Sequence, residues 1–195
     1  MAAFITIGEI IAMIITIVFV GYIFSDIFPK RMSYESMLRM GPRFDVESFK
    51  FAAIVAGSAI ILHELGHKIV ALSFGMQATY QAAFPWLILG VILKLMNVGF
   101  IVLVPAFVSI TGNGTPLQFS LVALAGPMVN LILWLVFGLL IRNKKLFKKH
   151  GMLLHYGMEI NKFLFIFNIL PIPGFDGYKF FGHLLQLTGV NLPLL

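Results

Sequence analysis

The residues of this 195-residue chain best placed to do chemistry lie in one run, His63-Glu64-Leu65-Gly66-His67. On a helix, residues four apart share a face, so His63 and His67 can reach one metal ion together. Glu64 projects at the edge of that face, close enough to take a proton from a reacting water. This is the arrangement of zinc hydrolases, with two imidazoles as ligands and a glutamate as general base. A blander reading is a polar turn satisfied by neighbouring helices. The surroundings weigh against it: residues 51–74 are long and apolar, and ionisable groups inside a membrane span mark a functional site by default. A catalytic zinc site takes three protein ligands and keeps one position open. Glu9, His155, Glu159 and Asp176 are the candidates for the third.

The elements that must position these groups follow from composition. Apolar residues make up 59% of the chain and charged ones 11%, against roughly 45–50% and about 25% in globular proteins. So few charges cannot cover a soluble surface, so soluble, disordered and fibrous classes are excluded and an integral, multi-pass membrane protein is expected. The absence of cysteine excludes a disulfide framework and a thiol nucleophile. The net charge of +6 sits in short loops between apolar runs, where it reports membrane topology rather than nucleic acid. The expected surroundings are therefore the lipid bilayer, with no nucleic-acid partner; the oligomeric state is not legible.

Residues 3–24, 51–74, 117–141 and 151–170 are each long enough to span a bilayer, which needs about 20 residues. A cleaved signal peptide is not expected, because no cation precedes Lys30. Residues 25–50 form a polar loop, residues 142–150 a basic loop, and residues 178–187 a short amphipathic helix near an interface. Between the second and third spans, Phe84–Leu95 is too short to cross. Residues 100–110 are rich in β-branched and aromatic types that favour extended backbone. The expected fold is an all-α membrane protein: a polytopic helical bundle of about four spans with a re-entrant or partly extended segment between the second and third. The chain reads as one transmembrane domain, 1–195.

Asp176 lies in Asn168-Ile-Leu-Pro171-Ile-Pro173-Gly-Phe-Asp176-Gly177, where two prolines and two glycines stop a regular helix. Irregular backbone at membrane depth persists only beside protein or a water-filled cavity. A carboxylate there suits a metal, or else a helix cap. Other polar groups carry weaker expectations. Glu159 and Lys162, three apart, should pair with each other. Glu9 should hydrogen-bond internally or sit protonated. His150 and His155 read as interfacial, and His183 falls outside any ligand spacing. Gly126 and Pro127 should permit close helix contact, and Asn130 can position a substrate backbone.

The HExxH run and the later N-x-x-P-x-x-x-x-D-G motif together resemble the site-2 protease family of intramembrane zinc metalloproteases. Between them, Ala125-Gly126-Pro127-Met128-Val129-Asn130 is similar to the family's G-x-x-x-N helix. The resemblance implies a metalloprotease core over residues 51–182, with a first span and polar loop (1–50) before it and a tail (183–195) after it. It implies one Zn2+ per chain, held by His63, His67 and Asp176, with Glu64 and Asn168 as the catalytic pair and Asn168 near the reacting carbonyl. The substrate would be a transmembrane protein, cut within or near its span in regulated intramembrane proteolysis. The match is weakest over residues 75–116, where many members carry a membrane-embedded β-hairpin. The chain would be a minimal form without PDZ or CBS modules.

The alternative is a non-enzymatic membrane protein that binds or transports zinc. It leaves Glu64 and the Asn168–Pro171 break without a purpose, and the internal repeats common in transporters are missing. Orientation draws two opposed expectations. Cations crowd the loops at 30–50 and 142–149, which the positive-inside rule would make cytoplasmic. The family resemblance instead implies a cell-membrane protein with its active site towards the cytoplasm and both loops outside, and this orientation is expected because the side of the active site is tied to how substrate enters.

Overall fold

A computed structural model describes residues 4–28, 45–98 and 104–189. Among them are six helices and a two-stranded sheet. Helix α1 (Ile7–Phe24) opens on a capping box in which Thr6 and Glu9 satisfy each other's backbone N–H groups, and it ends in a single 3-10 turn, Ser25–Ile27. Helix α2 runs from Val46 to Ser73. It starts five residues before the expected span because the Asp45 side chain accepts from the Glu47 N–H and caps it. A π-helical turn, Ala53–Gly57, interrupts α2 just before the histidines; such turns are frequent at functional sites.

Strand β1 (Gln77–Ala82) and strand β2 (Ala106–Thr111) pair antiparallel, from Gln77 opposite Thr111 to Ala82 opposite Ala106. The short helix α3 (Phe84–Leu95) lies between them in sequence. Its 12 residues reach about 18 Å, well short of a hydrocarbon core of roughly 30 Å. The expected combination of a short helix and an extended piece is therefore present. Residues 100–103 of the extended stretch lie outside the described residues. β1 was not foreseen, although Ala78, Tyr80 and Ala82 alternate as buried positions with exposed Gln77, Thr79 and Gln81, the period-2 pattern of a half-buried strand.

Helix α4 (Pro116–Ile141) begins with a second capping box, Thr115 and Gln118. Helix α5 (Lys144–Ile169) follows after a two-residue turn. The expectation of a basic loop over 142–150 is thus corrected: Asn143 accepts from the N–H groups of Lys145 and Leu146, and Lys144 onward is already helical, bent at His150. Charge marked this stretch as aqueous, but lysine and leucine are good helix formers and need only the asparagine cap. Helix α6 (Asp176–Gln186) is the expected short amphipathic helix.

Among the described residues three helices are long and apolar enough to cross a membrane: Ile7–Ile27, Val46–Ser73 and Pro116–Ile141. α5, the expected fourth span, has 26 residues but falls outside that set, because His155, Glu159, Asn161, Lys162 and Asn168 interrupt its apolar half. α2 is the central element. On one side α1 packs on it through Val20, Ala56 and Ile60, a cluster that also takes in Tyr80 of β1 and Ala106 of β2. Lys94 of α3 fastens the far end of α1, donating to Tyr22 O and Ser25 Oγ and lying 3.2 Å from the Asp26 carboxylate; a cation there serves the open carbonyls of a helix C-terminus. Of the expected polar loop over 25–50, residues 46–50 are helical and residues 29–44 lie outside the described residues, as does the tail beyond residue 189.

Candidate metal centre

His63 and His67 stand one turn apart on α2, and the broken backbone after α5 brings Asp176, the first residue of α6, against them. Both prolines of the break lie between Ile169 and Asp176, where helix geometry is impossible. Gly177 is required at the restart: a Cβ there would overlap the carbonyl oxygens of Ile169 and Leu170, so any other residue would push α6 and its carboxylate away. Ser120 of α4 donates to Phe180 O at 3.1 Å and holds α6 from the other side.

Three ligand atoms converge. His63 Nε2 lies 3.1 Å from His67 Nε2, and Asp176 Oδ2 lies 2.9 Å from the former and 3.2 Å from the latter. The opposite ring nitrogens are spoken for. His63 Nδ1 sits 2.6 Å from Asn130 Oδ1, and His67 Nδ1 sits 2.7 Å from the carbonyl of Val122. An oxygen acceptor at each Nδ1 places the ring proton there, so both Nε2 atoms turn lone pairs towards the carboxylate oxygen. Three acceptors this close repel one another unless a cation lies among them. The donor set, two imidazoles and one carboxylate, is that of a catalytic zinc. His63, His67 and Asp176 thus form a group that can hold one metal ion.

The supporting shell runs deep. Asn130 Nδ2 donates to Asn161 Oδ1 at 2.9 Å, and Asn161 Nδ2 donates to Gly157 O at 2.7 Å. This buried amide chain ties α2, α4 and α5 together and orients His63, in the manner of outer-shell partners that fix ligand tautomers. Asn130 is wholly buried, so it positions a ligand rather than a substrate backbone. Gly126 lies directly beside the imidazoles: a Cβ there would collide with His67 Nε2 and come within 2.6 Å of His63 Nε2. Gly126→Ala should therefore leave the chain folded but cut its zinc content to a small fraction of one per chain, as metal analysis of the purified protein would read. Zinc near one per chain in this variant would contradict the placement of the ligands.

The remaining sequence candidates go elsewhere. Glu159 pairs with Lys162 at 3.0 Å, His155 is exposed beside Tyr156, and Glu9 pairs with Lys68. His183 stacks on Phe119 with ring centroids 5.3 Å apart. Asn161 is the residue the sequence reading missed; its signal was an uncharged amide in an apolar helix, with nothing local to show its partner.

A cavity of about 840 Å³ opens beside the ligand atoms, with His63, Glu64, His67, Asn168 and Asp176 in its wall and phenylalanines over much of the rest. Glu64 is buried at 8% exposure. Asn168 Nδ2 donates one hydrogen to Leu164 O at 2.9 Å, leaving its second. β2 borders the same cavity with Ala106, Val108 and Ile110. The Ala83 N–H donates to Pro105 O at 3.0 Å, and pairs alternate along an antiparallel ladder. The backbone groups of Ala106, Val108 and Ile110 therefore point away from β1.

Two curated relatives are similar to this chain. A protein of Methanocaldococcus jannaschii named "Putative zinc metalloprotease MJ0611" is 38% identical over 176 residues, covering 88% of this chain and 82% of its own length. "Putative zinc metalloprotease Rip2" of Mycobacterium tuberculosis is 34% identical over 145 residues, 66% of this chain and 55% of its own length. No family model matches the chain, and no solved structure does.

Proposed function

Since this chain belongs to the zinc metalloproteases, we propose that it is an intramembrane endopeptidase of the site-2 protease kind, cutting a transmembrane protein within or near its span. The observation that carries this reading is the convergence of three zinc-type ligand atoms on a cavity shared with Glu64, on helices of membrane-crossing length. Zinc, when bound, supplies a Lewis acid that polarises a peptide carbonyl and makes water acidic near neutral pH. Glu64 takes the proton of the attacking water on its carboxylate and returns it to the departing amine nitrogen. Asn168 offers its second Nδ2 hydrogen to the carbonyl oxygen as negative charge grows there. His63 and His67 are held in their orientation by the Asn130 and Val122 oxygens behind them.

A transmembrane helix must unwind to be cut, because its peptide groups are shielded by their own hydrogen bonds. The outward backbone groups of Ala106, Val108 and Ile110 offer an extended segment replacement partners by strand addition. The apolar cavity walls suit the side chains of such a segment. Stripping the purified protein of metal should abolish hydrolysis of a single-span model peptide, and zinc should restore it. A metal carrier would instead move zinc into sealed vesicles and leave the peptide intact.

In this reading the bilayer is the cell membrane, residues 75–116 enter and leave it on one side, and the active site lies towards the cytoplasm. The start of α5 then faces outward. A cysteine placed at exposed Lys145 should react with an impermeant thiol reagent in intact cells. Labelling only after permeabilisation, with an external control reacting normally, would reverse the orientation.

A further inference from the structure

Glu9 and Lys68 are among the most buried ionisable side chains described, at 3% and 2% exposure, and the proteolytic reading uses neither. Lys68 directly follows the ligand His67 on α2 and donates to Glu9 Oε1. The same oxygen accepts the Tyr80 N–H of β1 at 2.7 Å. The other oxygen accepts the Thr6 N–H at 2.8 Å and the Thr6 hydroxyl at 3.1 Å. One carboxylate thus fastens the start of α1, the ligand helix and the sheet.

Its place on the sheet is specific. Tyr80 lies opposite Val108 in a pair whose backbone groups point away from each other. Glu9 therefore occupies the outer edge of β1 at the residue facing Val108, whose own outward groups lie on the cavity. Fixing Tyr80 fixes Val108 in turn, and both are fixed relative to the turn that carries His67. A side chain on α1, outside the 51–182 core, thus joins the closed edge of the hairpin to the helix that carries the ligand atoms.

We propose that Glu9, paired with Lys68, is a positioning residue that clamps the closed edge of the hairpin to the ligand helix and so sets the register in which a peptide on β2 meets the metal ligands. The register rests on the endopeptidase reading; the clamp itself does not. Removing only one partner would strand a buried charge, so the informative variants remove both. Glu9→Gln/Lys68→Met keeps a carbonyl oxygen within reach of the Tyr80 N–H, and Glu9→Leu/Lys68→Met does not.

The experiment compares both doubles with the unaltered full chain in lipid nanodiscs, with three readouts: zinc per chain, amide hydrogen exchange over residues 77–82, and the bonds cut in a single-span peptide. The leucine double should keep its zinc, exchange over 77–82 at least about tenfold faster, and add cuts two residues from the original bond, one strand repeat away. The glutamine double should keep slow exchange and one cut. Equal exchange in the two doubles would overturn the clamp, whatever the peptide shows. Faster exchange with an unchanged single cut would overturn the register role. If the unaltered chain cuts nothing, the endopeptidase reading and the register role fail together, and the exchange comparison still decides the clamp.

Discussion

Glu64→Gln should lower peptide hydrolysis by about 10⁴, the upper range for removing a general acid–base group, while zinc remains at one per chain. Glutamine has nearly the same shape, so the buried position beside the ligands stays filled and the cavity wall is preserved. It cannot take a proton from water at neutral pH, and it has none to give to the departing nitrogen. None of the three converging ligand atoms comes from Glu64, which is why metal content and turnover should separate. Rates within about tenfold of the unaltered chain would remove Glu64 from the role of base.

Asp176→Ala should lose both. The carboxylate supplies the one anionic ligand atom of the three and balances the charge of a divalent ion. Without it, two imidazoles remain, and two ligands do not make a zinc site of the catalytic kind. Loss of an outer-shell partner alone commonly costs about 10–100-fold in metal affinity, so loss of a ligand should exceed that range. Metal analysis at a fixed free zinc concentration reads it directly. The α6 helix does not depend on the Asp176 side chain for a cap, which Phe175 occupies without a side-chain hydrogen bond, so misfolding is not expected to account for the loss. Full zinc occupancy and activity in this variant would refute the ligand assignment.

How much of this was legible in the sequence depended on distance along the chain. The His63–His67 pair is a property of one helical turn, so spacing alone revealed it. The Asp176 break was equally local, since two prolines and two glycines stop a helix wherever they occur. That the break returns to the histidines, across 113 residues in sequence from His63, came only from resemblance to a family. The Asn130 and Asn161 amides, the Val122 carbonyl and the Glu9–Lys68 pair are contacts between distant segments, with no periodic trace. β1 was missed for another reason: two of its three buried positions are alanines, whose burial is nearly silent in composition. The basic stretch after α4 misled because positive charge says which groups need water, not whether the backbone coils into a helix.

The function proposed for this chain turns on hydrolysis of a peptide bond inside an apolar span at its zinc site. The most direct measurement reconstitutes the purified, zinc-loaded protein with a single-span peptide in liposomes and maps the products by mass spectrometry. New termini are expected within the apolar segment, lost on chelation, restored by zinc and missing with Glu64→Gln. Cuts confined to the water-exposed flanks, or products that persist undiminished with Glu64→Gln, would contradict this function.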